Sequence, residues 1–363
     1  MEKKQKVLFV GQNLCVGGVQ TAFINHLNKF SKDPQYDITV FLFSNGALYD
    51  QMPDNINIIF GNSLLNLISL PFSEVKASKN IIKTLIRSGS VIVARLIGVE
   101  RFYRMCFKKL PAKYDIAVSY FTDGLSGTFN RGTNLFVSEY VNANTKVTWI
   151  HNDPILAEFD HDYCQKLYLP FDKIVCVSDA VREKFNQFLP EYKDKTLTFH
   201  NVFDEEKIKS LAKEYVPFEK ADFDIVTVAR ADNKQKRIDG IIQICRRLKD
   251  EGISGFRWRI VGGGPSLESN RALAASLGVD DLITLEGEKT NPYPYIHMSD
   301  LFALYSDYEG YPMVVGEAEA LGTYILTTNY AAAKEQISSE QGYIAENDED
   351  FYQELKRLIQ CRD

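Results

Sequence analysis

No two of the six cysteines form a Cys-x-x-Cys pair; they stand apart at Cys15, Cys106, Cys164, Cys176, Cys245 and Cys361. Zinc-ribbon and redox-dithiol readings therefore have no support, and scattered thiols suit a reducing cytoplasm. Histidine is scarce, and His26, His161, His200 and His297 show no metal-ligand spacing. No run of 18 apolar residues is free of charge, so no membrane-crossing helix is expected. The opening Met1-Glu2-Lys3-Lys4-Gln5-Lys6 leads directly into Val7-Leu8-Phe9-Val10 without the pattern of a secretory signal, and a cytoplasmic protein is expected. Neither a repeat of solenoid period nor a low-complexity tract is present. A net charge of −6 gives no reason to expect a nucleic-acid partner. What remains is an ordinary globular composition, 45% hydrophobic and 25% charged, over 363 residues, a length that suits two domains.

Short apolar runs alternate with helical patterns almost throughout, which predicts βα units and parallel sheets. Strand-like runs fall at 7–10, 38–43, 116–119, 147–150 and 174–177. Gly17 and Gly18 precede a helix that ends near Phe30, and Ser178-Asp179 carries N-capping chemistry. Around 201–223 the pattern loosens into a charged helix and Pro217. The boundary is placed there, giving domains 1–205 and 206–363. A second series has strands at 225–228, 258–261, 283–285, 301–304 and 324–326, and helices at 238–249 and 267–277. The fold class is α/β, two Rossmann-like domains with parallel sheets facing an interdomain cleft, and ligands are expected at the carboxyl ends of the strands.

Glu309 and Glu317 are the most telling pair. Seven residues separate them, with a glycine, a proline and a helix start in between. If that stretch were fully helical, the two backbones would lie ~12 Å apart, at ~1.5 Å per residue. Such a span suits a ligand with hydroxyls at both ends and a phosphate in its middle, facing the N–H groups of the helix start. A nucleotide sugar has that layout. The alternative is a surface loop with two solvated acids.

Other motifs surround the pair in order. They are Gly17-Gly18-Val19-Gln20-Thr21, Val177-Ser178-Asp179, Val228-Ala229-Arg230, Lys236-Arg237-Ile238-Asp239, Ile260-Val261-Gly262-Gly263-Gly264-Pro265 and Asn291-Pro292-Tyr293-Pro294. Together with the Glu-x7-Glu spacing they resemble the retaining GT-B glycosyltransferases of family 4, the glycosyl transferases group 1, of the type that assembles capsule, exopolysaccharide or cell-wall polymers. The resemblance covers nearly the whole chain.

The resemblance implies roles. Arg230 and Lys236 would bind the diphosphate, the first as a fork and the second as a point charge. Gly17 and Gly18 would let backbone approach the leaving group. Glu309 would hold sugar hydroxyls, and Glu317 the ribose 2′ and 3′ hydroxyls. Gly310, Tyr311, Met313 and Val314 would offer backbone N–H groups to the sugar and diphosphate. Asn291 would lie beside the nucleobase, and Gly262–Gly264 would serve chiefly as a turn. His151 would hydrogen-bond the sugar or orient the acceptor. No cofactor and no metal is expected. The donor would be a nucleoside diphosphate hexose, a UDP-sugar first among them, and the acceptor a saccharide or lipid-linked saccharide. Two rivals stand beside this: a catalytically silent GT-B subunit that binds a partner or a glycan, and an epimerase or phosphorylase of related architecture.

The segment 64–113 holds ten basic residues against Glu74 and Glu100, a local charge of +8 that leaves −14 for the remainder. Lys76, Lys79, Lys83 and Arg87 fall at helical spacing with Ile82, Leu85 and Ile86 as apolar counterpart. A basic amphipathic helix on an anionic membrane surface is expected, peripheral on the cytoplasmic face; a solvated helix with its apolar side in the core is the alternative. After Gly342 one helical pattern remains, 348–360, so the long closing helix of such folds is expected to be missing or shortened.

Overall fold

Seven parallel strands form the sheet of the first unit. β1 (Gln5–Gly11), β2 (Tyr36–Leu42), β3 (Asn57–Phe60), β4 (Lys113–Ser119), β5 (Asn142–Ile150), β6 (Lys173–Cys176) and β7 (Thr196–Thr198) pair in the order β3-β2-β1-β4-β5-β6-β7. Val7 to Val10 are buried, as a strand covered by helices on both faces requires. The chain winds outward from β1 to β3 and then returns to β4 on the other side of β1. This reversal opens a crevice at the carboxyl ends of β1 and β4. The computed structural model describes residues 4–129 and 131–361, so Met1 to Lys3 of the opening lie outside it.

The second unit repeats the plan with β8 (Phe223–Val228), β9 (Phe256–Val261), β10 (Ile283–Gly287), β11 (Leu301–Leu304), β12 (Tyr324–Thr328) and β13 (Gly342–Ala345). Their order is β10-β9-β8-β11-β12-β13, again all parallel, with the reversal between β8 and β11. The units are Met1–Val202 and Phe203–Asp363, against an expected break after 205.

Helical periodicity builds the core of the second unit. In the helix Ile238–Asp250, Ile238, Ile241, Ile242, Cys245 and Leu248 recur every three or four residues and pack on Trp258. Burial of such side chains contributes roughly 1.5–3 kcal/mol each. The Trp258 indole is fully enclosed, and its Nε1 donates to Thr227 Oγ1 at 2.9 Å. The last helix, Asp348–Gln360, buries Phe351, Tyr352, Leu355 and Ile359 in the same core.

The basic segment departs from expectation. It folds as four helices, Ser63–Ser69, Phe72–Ala77, Ile81–Ile97 and Val99–Cys106. Lys76 lies in the second and Lys79 in a turn at φ 53°. Asn80 then starts the third helix by accepting from the Lys83 N–H at 3.0 Å. Lys76, Lys79, Lys83 and Arg87 thus share no helix face. Arg87 points inward, 5% exposed. Its Nε donates to the Leu70 carbonyl at 3.1 Å, and its guanidinium lies 5.6 Å from the Phe72 and Phe129 rings. Leu70 ends the helix Ser63–Ser69, whose last carbonyls need donors and favour a cation. The inward-turned arginine meets that need. The apolar positions Ile81, Ile82, Leu85, Ile86, Ile92, Val93, Leu96 and Ile97 consequently face outward.

Candidate active site

β8 and β11 are the neighbours between which the strand order reverses, and the residues that follow each carry the polar chemistry of the second unit. After β8, the backbone at 229–231 is backed by the glycine turn. The Ala231 N–H donates to the Gly263 carbonyl at 2.8 Å. A Cβ on Gly262 would sit 1.9 Å from the Ala229 oxygen, and one on Gly264 2.4 Å from the Ala231 oxygen. Both glycines have φ near 150°, a region that side chains disfavour. Their work is close approach behind Arg230. The Arg230 side chain is 62% exposed, and its Nη2 donates to Asp232 Oδ2 at 2.7 Å.

Asp232 starts the short helix Asn233–Lys236. Gln235 fixes this helix to the loop after β11: its Nε2 donates to the Tyr308 carbonyl at 3.0 Å, and its own carbonyl accepts from the Asp307 N–H at 2.9 Å. The clamp sets Lys236 Nζ on Glu309 Oε1. The two side chains are only 14% and 7% exposed. A buried cation and carboxylate hold each other in place, since either alone would be costly to desolvate.

Arg237 supports the clamp from behind, a role that no sequence motif announced. It adopts φ 45°. Its guanidinium forks onto both oxygens of Asp348 at 2.8 and 2.7 Å, donates to the Tyr305 hydroxyl at 2.8 Å and stacks 4.0 Å over that ring. Asp348 opens the last helix, so this contact joins the closing helix to the loops of the site.

Between the two acids the chain is not fully helical. Gly310, Tyr311 and Pro312 form a loop, and the helix runs Met313–Ala320. No described side chain caps it. The first N–H groups of Met313 and Val314 thus face the loop side, where an anion is favoured. Glu317 lies inside this helix, 4% exposed. Burial pushes its carboxyl up to about 7, opposed by a hydrogen bond from the Tyr293 hydroxyl at 3.3 Å. Tyr293 is the neighbour that sequence reasoning missed, although it stands in the Asn-Pro-Tyr-Pro motif. Asn291 is held to the framework. Its Nδ2 donates to the Leu211 carbonyl and to Glu214 Oε2, each at 2.9 Å, which ties the loop to the helix Glu205–Leu211.

In the first unit, Gly17 and Gly18 follow β1 and open the helix Gly18–Phe30. Asn13 braces the turn: its Nδ2 donates to the Ser69 carbonyl at 2.9 Å, and its Oδ1 accepts from Gln20 Nε2 at 3.2 Å. His151 follows β5 and is buried. Its Nε2 lies 2.7 Å from the Tyr120 carbonyl, which only accepts, so Nε2 carries the proton. Burial lowers its pKa to about 4, leaving a neutral ring. Among the described residues Nδ1 has no partner, and it can only accept. Tyr120 also bonds His26 Nδ1 through its hydroxyl at 2.6 Å, so one buried tyrosine orders both histidines. Asp153 caps the following turn: its Oδ1 accepts from the N–H groups of Ile155 and Leu156 at 2.8 and 3.1 Å.

Two doubly wound parallel units in one chain are the parts of a GT-B fold. A crystal structure of Anabaena HepE with UDP-glucose matches 98% of this chain and 90% of its own at a TM-score of 0.65 and 14% identity, and so shows the fold. Residues 209–363, within the second unit, match the family model described as glycosyl transferases group 1. The chain is 30% identical over 135 residues to a putative colanic acid biosynthesis glycosyltransferase, WcaL, of Escherichia coli, covering 34% of this chain and 33% of that protein. It is 27% identical over 165 residues to N-acetylgalactosamine-N,N'-diacetylbacillosaminyl-diphospho-undecaprenol 4-alpha-N-acetylgalactosaminyltransferase of Campylobacter jejuni, covering 44% and 43%. These matches span about a third to under a half of the relatives' own length.

Proposed function

We propose that this chain is a retaining, metal-independent glycosyltransferase that moves a hexose from a nucleoside diphosphate sugar, a UDP-sugar first among them, to a saccharide or lipid-linked saccharide. One observation carries the reading. Arg230, the buried Lys236–Glu309 pair and the helix bearing Glu317 all issue from the carboxyl ends of β8 and β11. In this reading the acceptor oxygen bonds the anomeric carbon on the face from which the phosphate departs. The bond from that carbon to the phosphate oxygen breaks, its electron pair stays on the diphosphate, and the acceptor proton passes to the same phosphate. Charge on the diphosphate grows as the bond breaks. Arg230 and Lys236 therefore stabilise the transition state more than the ground state. Glu309 takes sugar hydroxyls, and Glu317 takes the ribose hydroxyls at the other end. The UDP-glucose held by HepE supports the donor class. The diphospho-undecaprenol in the name of the Campylobacter relative supports a lipid-linked acceptor. With such an acceptor the protein works on the cytoplasmic face of an anionic membrane, through 64–113.

The test is release of nucleoside diphosphate from a panel of UDP- and GDP-hexoses. Consumption of a UDP-hexose is expected, and Arg230→Ala should lower turnover about 100-fold, since one charge-assisted contact to an oxyanion is worth ~3 kcal/mol. Lys236→Ala should lose as much and also melt earlier, because Glu309 is left buried without its cation. No nucleotide binding across the panel would leave a silent subunit, and conversion of the donor sugar without release of diphosphate an epimerase. Unchanged turnover in Arg230→Ala would remove that residue from the chemistry.

A further inference from the structure

The helix Ile81–Ile97 is built inside out. Arg87, Ser90 and Ala94 are its buried residues, facing the helices Ser63–Ser69, Phe72–Ala77 and Val99–Cys106. Its outward face is aliphatic along the whole length: Ile82 is 70% exposed, Leu85 66% and Leu96 80%. Scattered exposed apolar residues are ordinary, but a continuous face is not. Of the seventeen large apolar side chains exposed among the described residues, twelve fall between Phe60 and Met105. The patch is therefore local rather than a property of the surface at large.

Charge identifies what covers it. Exposed Lys79 and Lys83 flank the start of the face, and exposed Arg95 and Arg101 its end. Within 64–113 only Glu74 and Glu100 are acidic, and Glu100 is engaged by Arg104 at 3.3 Å. An apolar strip rimmed by cations complements acyl chains beneath anionic headgroups. A second copy of the same face would bring two positive rims together. At 17 residues the helix is about 25 Å long, and no described helix is long and apolar enough to cross a membrane. The geometry is that of a helix lying in the interface plane.

We infer that the outward face of Ile81–Ile97 inserts into the interfacial layer of an anionic lipid bilayer, with the flanking lysines and arginines on the headgroups. The inference rests on the membrane reading above and deepens it. Insertion is by the apolar side, not by a basic stripe. The assay contains neither donor nor acceptor, so the transferase reading stands or falls separately. Both native tryptophans, Trp149 and Trp258, are buried, so Leu85→Trp reports the face alone. With phosphatidylglycerol vesicles its emission should shift to the blue, and with phosphatidylcholine vesicles it should not. Leu85→Glu should reduce co-sedimentation at least 10-fold with an unchanged melting temperature, because Leu85 supports no core. Leu169→Glu, an exposed position elsewhere in the unit, should bind as the parent does. Co-sedimentation without an emission shift would overturn insertion while leaving a membrane-bound protein. No binding to either vesicle would overturn both. A dimer in light scattering that Leu85→Glu makes monomeric would assign the face to a second copy and overturn the inference.

Discussion

Glu317 sits where burial and its proposed function pull its proton in opposite directions. Accepting hydrogen bonds from two ribose hydroxyls, as proposed, favours the ionised carboxyl, yet enclosure raises its pKa to about 7. Donor binding should therefore tighten as pH rises from about 6 to about 8, and Glu317→Gln should flatten that profile. Stability moves the other way. The folded chain holds this proton up to about pH 7, whereas an unfolded chain releases it near the ordinary glutamate value. Without ligand, stability falls as pH rises through that window, by on the order of 3 kcal/mol in all. Thermal melts from about pH 4 to about pH 8 would show the slope in the parent and its reduction in Glu317→Gln. An equal slope in both would mean that the carboxyl is not the titrating group. Sequence motifs located Glu317. They did not locate Tyr293 as its neighbour or Arg237 as its support, because both act through contacts that only the tertiary fold brings together.

The glycine turn after β9 shows how an element positions a side chain that it never touches. Gly262 and Gly264 lie against the backbone on either side of Arg230, at φ values that a side chain resists. Gly262→Ala must either push the Ala229 carbonyl away or distort the turn, and should lower stability by about 2–4 kcal/mol. Gly263→Ala, whose Cβ would come no closer than 3.3 Å to the Glu288 Cβ and needs a shift of only a few tenths of an ångström, should unfold in urea much closer to the parent than Gly262→Ala. Equal midpoints for the two variants would refute close packing as the reason for this glycine. Legibility at this scale follows burial. The central strands were readable because their apolar runs are enclosed on both faces. The missed strands β3, β7 and β13 are three or four residues long and lie at sheet edges, where the run is short and partly solvated. The helix Ile81–Ile97 was readable in its period but not in its orientation. Period fixes which residues share a face. Which face turns inward depends on partners outside the helix, the Leu70 carbonyl that Arg87 meets among them.

Over the whole molecule the charge is divided against itself. The net value is −6, while 64–113 carries +8 and everything else −14. An anionic bilayer attracts the segment and repels the remainder. The outcome depends on range, because screening cuts interactions beyond ~10 Å at about 0.1 M salt but leaves groups in contact with headgroups. Each lysine or arginine at the surface contributes ~1 kcal/mol, so the groups in contact with the headgroups, not the net charge, set the attraction. Apolar insertion does not depend on salt in this way. Raising sodium chloride to about 0.5 M shortens the screening length to roughly 4 Å. Binding of the parent to phosphatidylglycerol vesicles should then weaken severalfold but persist, whereas Leu85→Glu, left with the cations alone, should release fully. If parent and variant lost binding in parallel, the aliphatic face would contribute nothing, and charge alone would hold the protein to the surface. If the parent ignored salt altogether, the cations around the helix would be bystanders, and the asymmetry of the chain would need another explanation.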